Sequence, residues 1–295
     1  MSIIVTGASG SLGLEVVQAL LRQVSASDLI LVSRSPDKLQ GFAARGASVR
    51  YGDFSEPDTL LSAFDGGRSA LIISTMPPGT NRVAQHRNAF GAARRAGVHN
   101  IAYTSYPNPV EGNPAPPVAS HRASEADLTR LDVGWTVLRN ALFSDWRLRL
   151  AQRYIAQGQW TTNIGDGAHA YVTRRDCAEA AAAVLIAKDS RHHGQTYELT
   201  GPALLGRSDI LSLLEEFGRR SIKCVQVNDD DYERYRVEFE ADPANSEYFE
   251  LWTATGEAIR RGYLNQHTTA VRDLTGLEPI SLRCLFEQRE LDVQR

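Results

Sequence analysis

Apolar positions in the first half of the chain come in two alternating kinds. Short runs such as Ile3-Ile4-Val5 and Leu71-Ile72-Ile73 are apolar at consecutive residues. Between them lie longer stretches in which apolar residues share one helical face, such as Leu12, Val16, Leu20 and Leu21. The first kind predicts strands covered on both faces, the second amphipathic helices. Strands are expected at 3–6, 29–33, 48–51, 70–75, 100–105 and 135–138, and helices at 11–22, 57–64, 81–96 and 121–131. Pro36 opens a further short helix, Gly66-Gly67 ends the helix from 57, and Gly97 closes the one from 81. This alternation implies βαβ units with right-handed crossovers, hence an α/β fold: a Rossmann-type doubly wound parallel sheet.

After about residue 140 the pattern changes. Helical stretches dominate and strand-like runs become isolated, at 171–173, 196–199 and 223–227. Ser208 is expected to cap a helix running to Arg219, with Asp209 in its first turn. The run Asn228-Asp229-Asp230-Asp231 has the acidity of a metal site but reads as the cap of a following helix. Neither a low-complexity linker nor an internal repeat interrupts the chain. The expected organisation is a Rossmann domain over residues 1–150 and a smaller, mostly helical substrate-binding lobe over 151–295 that packs partly back on the first.

Composition narrows the function. Of 295 residues, 42% are hydrophobic and 23% charged, enough for a core without disulfide or metal staples. A net charge of −3 argues against electrostatic nucleic-acid binding. No stretch is long and apolar enough to predict a transmembrane helix. The chain runs into its first strand without the basic start and apolar run of a signal peptide, so a cytoplasmic location is expected. Cys177, Cys224 and Cys284 are odd in number and far apart, which reads as reduced thiols. His192-His193 reads as a surface turn, and no metal is expected. Only three of the 32 basic residues are lysines, Lys38, Lys188 and Lys223, which limits where lysine chemistry can occur.

The most specific motif is Thr6-Gly7-Ala8-Ser9-Gly10-Ser11-Leu12-Gly13, set between a predicted strand and a predicted helix. Gly7 permits the tight turn, Gly10 lets the backbone approach a pyrophosphate, and Gly13 lets the helix pack on the strand. The helix N-terminus offers free N–H groups to phosphate. Gly7, Ser9, Gly10, Ser11, Leu12 and Gly13 are therefore candidate dinucleotide contacts. A site for NAD(H) would place Asp or Glu at the end of the second strand. The residue there is Arg34, with Lys38 one turn on, a pairing that suits a 2′-phosphate and predicts NADP(H). Asp53, after Gly52, is placed either to accept from the adenine amino group or to serve the turn. Ser74 and Thr104, at the ends of the fourth and fifth strands, complete the expected cofactor set. Pro77-Pro78-Gly79 and the segment from Pro107 to Pro117 are loops at strand C-termini, where open α/β sheets bind ligands.

These segments resemble a known family. TGASGSLG, Arg34 within RSPDK, Gly52-Asp53, Gln85-His86 in the helix from 81, the strand ending Tyr103-Thr104-Ser105, HxxxE at 121–125, and Leu138-Arg139-Asn140 fall in one order. So does the late TGLEPISLRCLF. That order is similar to the NmrA-like branch of the atypical short-chain dehydrogenases, which includes bacterial NADPH-dependent quinone reductases and triphenylmethane-dye reductases. The resemblance implies a reductase whose acceptor is a small quinone-like or dye-like aromatic. It also covers relatives that bind NADP as redox sensors without turnover, and other chemistry on the same scaffold remains open. A homodimer is compatible with it.

Short-chain dehydrogenases generally protonate substrate through a YxxxK pair, which is missing here. The resemblance puts His121 and Glu125 in that place, on one helix face. Some relatives carry Lys after the Glu, where this chain has Ala126. His121 reads either as a proton donor with a pKa near neutrality or as a histidine that merely begins a helix. Asn140 reads either as a donor to a substrate carbonyl or as a backbone cap. Tyr106, Phe143 and Trp146 read as ring walls for the substrate or as core. A quinone or cationic dye yields a stabilised product that water can protonate, so no dedicated acid is required.

Overall fold

The computed structural model describes residues 2–76, 80–228, 230–231 and 249–293. Seven parallel strands form one sheet in the order β3-β2-β1-β4-β5-β6-β8. They are β1 (Ile3–Thr6), β2 (Leu29–Ser33), β3 (Ser48–Tyr51), β4 (Ser69–Ile72), β5 (Asn100–Ser105), β6 (Gly134–Asn140) and β8 (Gln195–Leu199). A second, two-stranded parallel sheet pairs β7 (Gln159–Thr162) with β9 (Lys223–Gln226). The doubly wound parallel sheet read from the alternating pattern is thus present.

Alternate strand residues face opposite sides, as a pleated strand requires. Ile3, Val5, Leu29, Leu31 and Leu71 pack with α1 (Ser11–Leu21) and α7 (Arg174–Ile186). Ile4, Ile30, Val32, Ala70 and Ile72 face the opposite layer. That layer holds α3 (Leu60–Phe64), α4 (Thr80–Arg95) and α5 (Val118–Thr129), while Phe42 of the four-residue α2 (Gln40–Ala43) packs on the side of α1 and α7. A third cluster around Tyr154, Trp160, Ile210, Leu214 and Ile259 builds the lobe. Its helices are α6 (Ser144–Gln157), α8 (Arg207–Gly218), α9 (Phe249–Arg260) and α11 (Leu282–Val293). The short α10 (Ala270–Thr275) packs on α7. From the segment after residue 150, β8 pairs with β6 and α7 lies against α1.

Several boundaries differ from the sequence expectation, for physical reasons. β4 stops at Ile72 rather than 75, because side chains replace the strand ladder. Ile73 N–H donates to Thr6 Oγ1 (3.1 Å) and Ser74 N–H to Thr104 Oγ1 (2.9 Å). α5 starts at Val118, three residues before the expected start at His121, which therefore sits inside the first turns. The cap of α8 is Gly206, not Ser208: Asp209 Oδ2 accepts from Gly206 N–H at 2.8 Å. The run 171–173 is no strand and contributes only an isolated bridge between Val172 and Phe143. Asn228 Oδ1 accepts from Asp231 N–H (2.7 Å), an N-cap geometry, while Asp229 and the segment from 232 to 248 lie outside the described residues. Among the described residues no cluster has metal-binding composition, and no helix is long and apolar enough to cross a membrane.

Candidate active site

The direction of strand progression reverses between β1 and β4, the kind of switch point beside which open α/β sheets bind ligands. The glycine loop lies at that point. Gly7 has φ +60°, a conformation that favours glycine. A Cβ on Gly13 would lie 2.2 Å from Gly7 O and 2.8 Å from Ala8 Cα, so only glycine lets α1 start so close to the loop. A Cβ on Gly10 would stand 3.2 Å from Gly7 O, so glycine also eases the loop's own closure, in which Gly10 N–H donates to Gly7 O at 2.9 Å. No side chain caps α1, and its first turn carries no acid. A tight, Cβ-free loop leading into an uncapped helix N-terminus fits the pyrophosphate of a dinucleotide.

The flanking positions are ordered by the sheet. Ser9 Oγ lies 2.7 Å from Ser33 Oγ, which also accepts from Ser35 N–H at 2.9 Å. Arg34 and Lys38 are exposed beyond β2, and their side chains make no hydrogen bond or ion pair to any described residue. Asp53 shapes its own turn: Oδ1 accepts from Ser55 N–H at 2.8 Å, the geometry of the turn reading. Thr104 is buried and donates to Ser74 Oγ at 3.3 Å, so these two join the ends of β5 and β4. Ser11 and Leu12 open α1. Pro77-Pro78-Gly79 lies outside the described residues.

The HxxxE pair does face one strand, but its surroundings change its chemistry. Ser105 Oγ donates to Glu125 Oε1 (2.6 Å) and lies 3.3 Å from His121 Nδ1. Arg139, one residue before Asn140, grips Glu125 with two hydrogen bonds and donates a third to Glu198 (2.9 Å). Glu125 is therefore committed to a buried ion-pair network. His121 is 5% exposed, and burial, with the Arg82 cation nearby, pushes its imidazole well below the ordinary range. That environment favours the neutral ring over the imidazolium. Its closest partner is Tyr103 Oη, 2.9 Å from Nδ1.

Asn140 ends β6 and is 9% exposed; its Oδ1 is buried without a hydrogen-bond partner. Of its two readings, the backbone cap is not formed. Ser144 Oγ, one turn of chain further on, is likewise buried and unpartnered. Tyr106 joins the lobe's core, with its ring 6.1 Å from that of His121. Phe143 packs on the cluster around α1 and α7, under the guanidinium of Arg174. Trp146 is half-buried, with Arg149 over its ring. Tyr103 and Arg139, named in the sequence only within the segments that carry the resemblance, and Arg82 were given no site role there. Strand alternation alone puts Tyr103 and Ser105 on one face of β5, and the i, i+4 spacing puts Arg82 and His86 on one face of α4. Both were available signals.

Comparison with known proteins follows this geometry. Residues 7–188 match the NAD(P)H-binding family. Quinone oxidoreductase 2 of Escherichia coli is 34% identical over 230 residues, covering 78% of this chain and 79% of that protein. The crystal structure of an NADPH-dependent quinone oxidoreductase from Escherichia coli, complexed with NADPH, superposes with a TM-score of 0.90. The two are 28% identical over 98% of this chain and 99% of the other. The Citrobacter triphenylmethane reductase complexed with NADP(H) gives a TM-score of 0.89 at 32% identity, over 97% of this chain and 99% of the other. The chain belongs to the NAD(P)H-binding family and is an NAD(P)H-dependent oxidoreductase.

Proposed function

We propose that this protein reduces a quinone-like or dye-like aromatic acceptor with NADPH. The observation that carries the reading is the pairing of a pyrophosphate-fitting loop with a strand edge that supplies neutral hydrogen-bonding groups and no YxxxK pair. Bound NADPH supplies the hydride. Gly7, Ser9, Gly10, Ser11, Leu12 and Gly13 hold the pyrophosphate by backbone contacts and the α1 dipole. Arg34, standing where an NAD(H) site would carry an acid, and Lys38, neither ion-paired to a described residue, take the 2′-phosphate. Asp53, Ser74 and Thr104 border the dinucleotide along the strand ends.

The acceptor sits past those strand ends. Asn140 donates its side-chain Nδ2–H to an oxygen of the substrate, and His121 offers a neutral imidazole. Glu125 holds Ser105 and Arg139 in place beside it. Tyr106, Phe143 and Trp146 border the aromatic ring. Such a site lacks a strong acid, so it suits acceptors whose reduced form is stabilised by its own ring rather than simple ketones. The residues 1–150 thereby serve the cofactor, and 151–295 with the returning β8 and α7 complete the acceptor side.

The experiment is NADPH consumption with a panel of benzoquinones, naphthoquinones and triphenylmethane dyes, and simple ketones as controls. Turnover confined to the electron-poor aromatics is expected. Tight NADPH binding with no turnover of any of them would overturn the reading.

A further inference from the structure

Under the C-terminal ends of β4 and β5 lie Arg82 and His86 from α4, Tyr103 from β5, and His121 and Ser124 from α5, all buried. Their hydrogen bonds favour one placement of protons. Thr75 N–H donates to His86 Nε2 at 3.1 Å, so that nitrogen is bare. Burial and the Arg82 cation hold His86 neutral, at about 3, and its single proton is on Nδ1. That proton goes to Ser124 Oγ at 2.8 Å, because Ser124 spends its own on Ser120 O, also at 2.8 Å.

Tyr103 Oη lies 3.2 Å from His86 Nδ1, which is a donor, and 2.9 Å from His121 Nδ1. Ser124, which also hydrogen-bonds Tyr103, already accepts from His86, so the tyrosine proton points to His121. Ser105 cannot compete, since its proton goes to Glu125. With Nδ1 accepting and the ring neutral, the proton of His121 sits on Nε2, and no described residue takes it. Every polar group facing the ring enforces this state. Arg82 and His86 from α4 oppose a second positive charge. Tyr103 and Ser105 from β5 and Ser124 from α5 are neutral. The one carboxylate, Glu125, is claimed by Arg139 of β6.

We propose that His121 acts as a neutral imidazole, offering Nε2–H as a hydrogen-bond donor to the acceptor oxygen that gains negative charge, and that Tyr103 is the positioning residue that fixes this tautomer. The donor role rests on the reductase reading above; the tautomer stands without it. As the acceptor ring takes two electrons with hydride, negative charge gathers on its oxygen, and Nε2–H stabilises that charge while keeping its proton. Water supplies the proton that completes the reduced product. A neutral imidazole suits this task because it polarises a carbonyl without being consumed as an acid.

The test joins spectroscopy to kinetics. Long-range 1H–15N spectra of the imidazoles, recorded with and without NADP+ from pH 6 to 8, are expected to show His121 as a non-titrating Nε2–H tautomer. Tyr103→Phe should mix in the Nδ1–H form and lower kcat for a benzoquinone about tenfold, the order seen when a histidine loses its orienting partner. NADPH affinity should hold. His121→Leu should lower kcat by about 10²–10³, as removal of one oxyanion donor does. His121→Gln, which restores an N–H, should recover part of it, with a flat pH profile over the same range. A wild-type His121 that titrates in this range, or carries its proton on Nδ1, would overturn the tautomer. A tautomer unchanged in Tyr103→Phe would overturn the positioning role, and the Gln and Leu variants decide the donor role if that protein fails to fold. Lack of quinone turnover by the wild type would refute the reductase reading instead, leaving the spectra to judge the tautomer.

Discussion

Arg139 and Glu125 face each other as a fork, with Nε to Oε1 at 2.9 Å and Nη2 to Oε2 at 2.7 Å. Both side chains are mostly buried, at 23% and 12% exposed. This ties β6 to α5 directly beneath His121. Glu125→Ala removes two hydrogen bonds from Arg139 and leaves it Glu198 alone, so it should cost about 1.5–3 kcal/mol, the scale of hydrogen bonds to charged groups. Urea denaturation measures it. An unchanged midpoint would mean the pair contributes nothing.

Arg34 supplies the contrast of an unpaired cation at the surface. Arg34→Ala should weaken NADPH by about 1.5–3 kcal/mol and leave NADH nearly unchanged, because only NADPH carries the 2′-phosphate. Titration of both cofactors separates the cases. Equal losses for the two would reduce Arg34 to a general surface charge.

Gly13 bears on the loop itself. Gly13→Ala places a Cβ where Gly7 O already stands 2.2 Å away, so the loop must shift. The expected outcome is loss of NADPH affinity together with a stability loss of about 1–3 kcal/mol, as overpacking produces. Calorimetric titration and a melting curve give both. Wild-type values in each would contradict the close packing of α1 on the loop.

Asn140 should trade stability against function. Its Oδ1 is buried and unsatisfied, a cost of about 1–3 kcal/mol in the free protein. Asn140→Leu, close in volume, should leave the free protein as stable or more so while lowering kcat/KM for a quinone. Destabilisation with full activity would make Asn140 a structural residue only.

Acid should unfold the protein early. Burial holds His86 at about 3 and His169 at about 4, and pushes His121 down as well. In the unfolded chain these rings take up protons near pH 6.5. The unfolded state then binds more protons than the folded one, so the stability they provide is complete above that pH. It is lost as pH falls, by about 1.4 kcal/mol per pH unit for each ring. Asp176 and Glu198, whose carboxyls burial raises, act in the opposite sense nearer the carboxylate range. The window from pH 6.5 to about 5 therefore reads the histidines. Urea midpoints at pH 7 and pH 5 test this, and a midpoint that holds steady or rises on acidification would contradict it.

Much of the architecture was legible in the chain, because the signals that define it are local. Two-sided apolar strands, one-faced helices and the glycines at 7, 10 and 13 each act over a few residues, and their order dictates a parallel, doubly wound sheet. The absence of an acid at the end of β2 and of YxxxK could likewise be read from positions alone. What the tertiary structure decided is the protonation chemistry of the site. Whether His121 is an acid or a neutral donor depends on Arg82, forty residues away in the chain, on Tyr103 across the helix–strand interface, and on burial that no local pattern reports. Glu125 belongs to an ion-pair network only because β6 brings Arg139 beside it. Spacing puts residues on a face, but charge and proton position depend on which faces meet and on how much water is left between them.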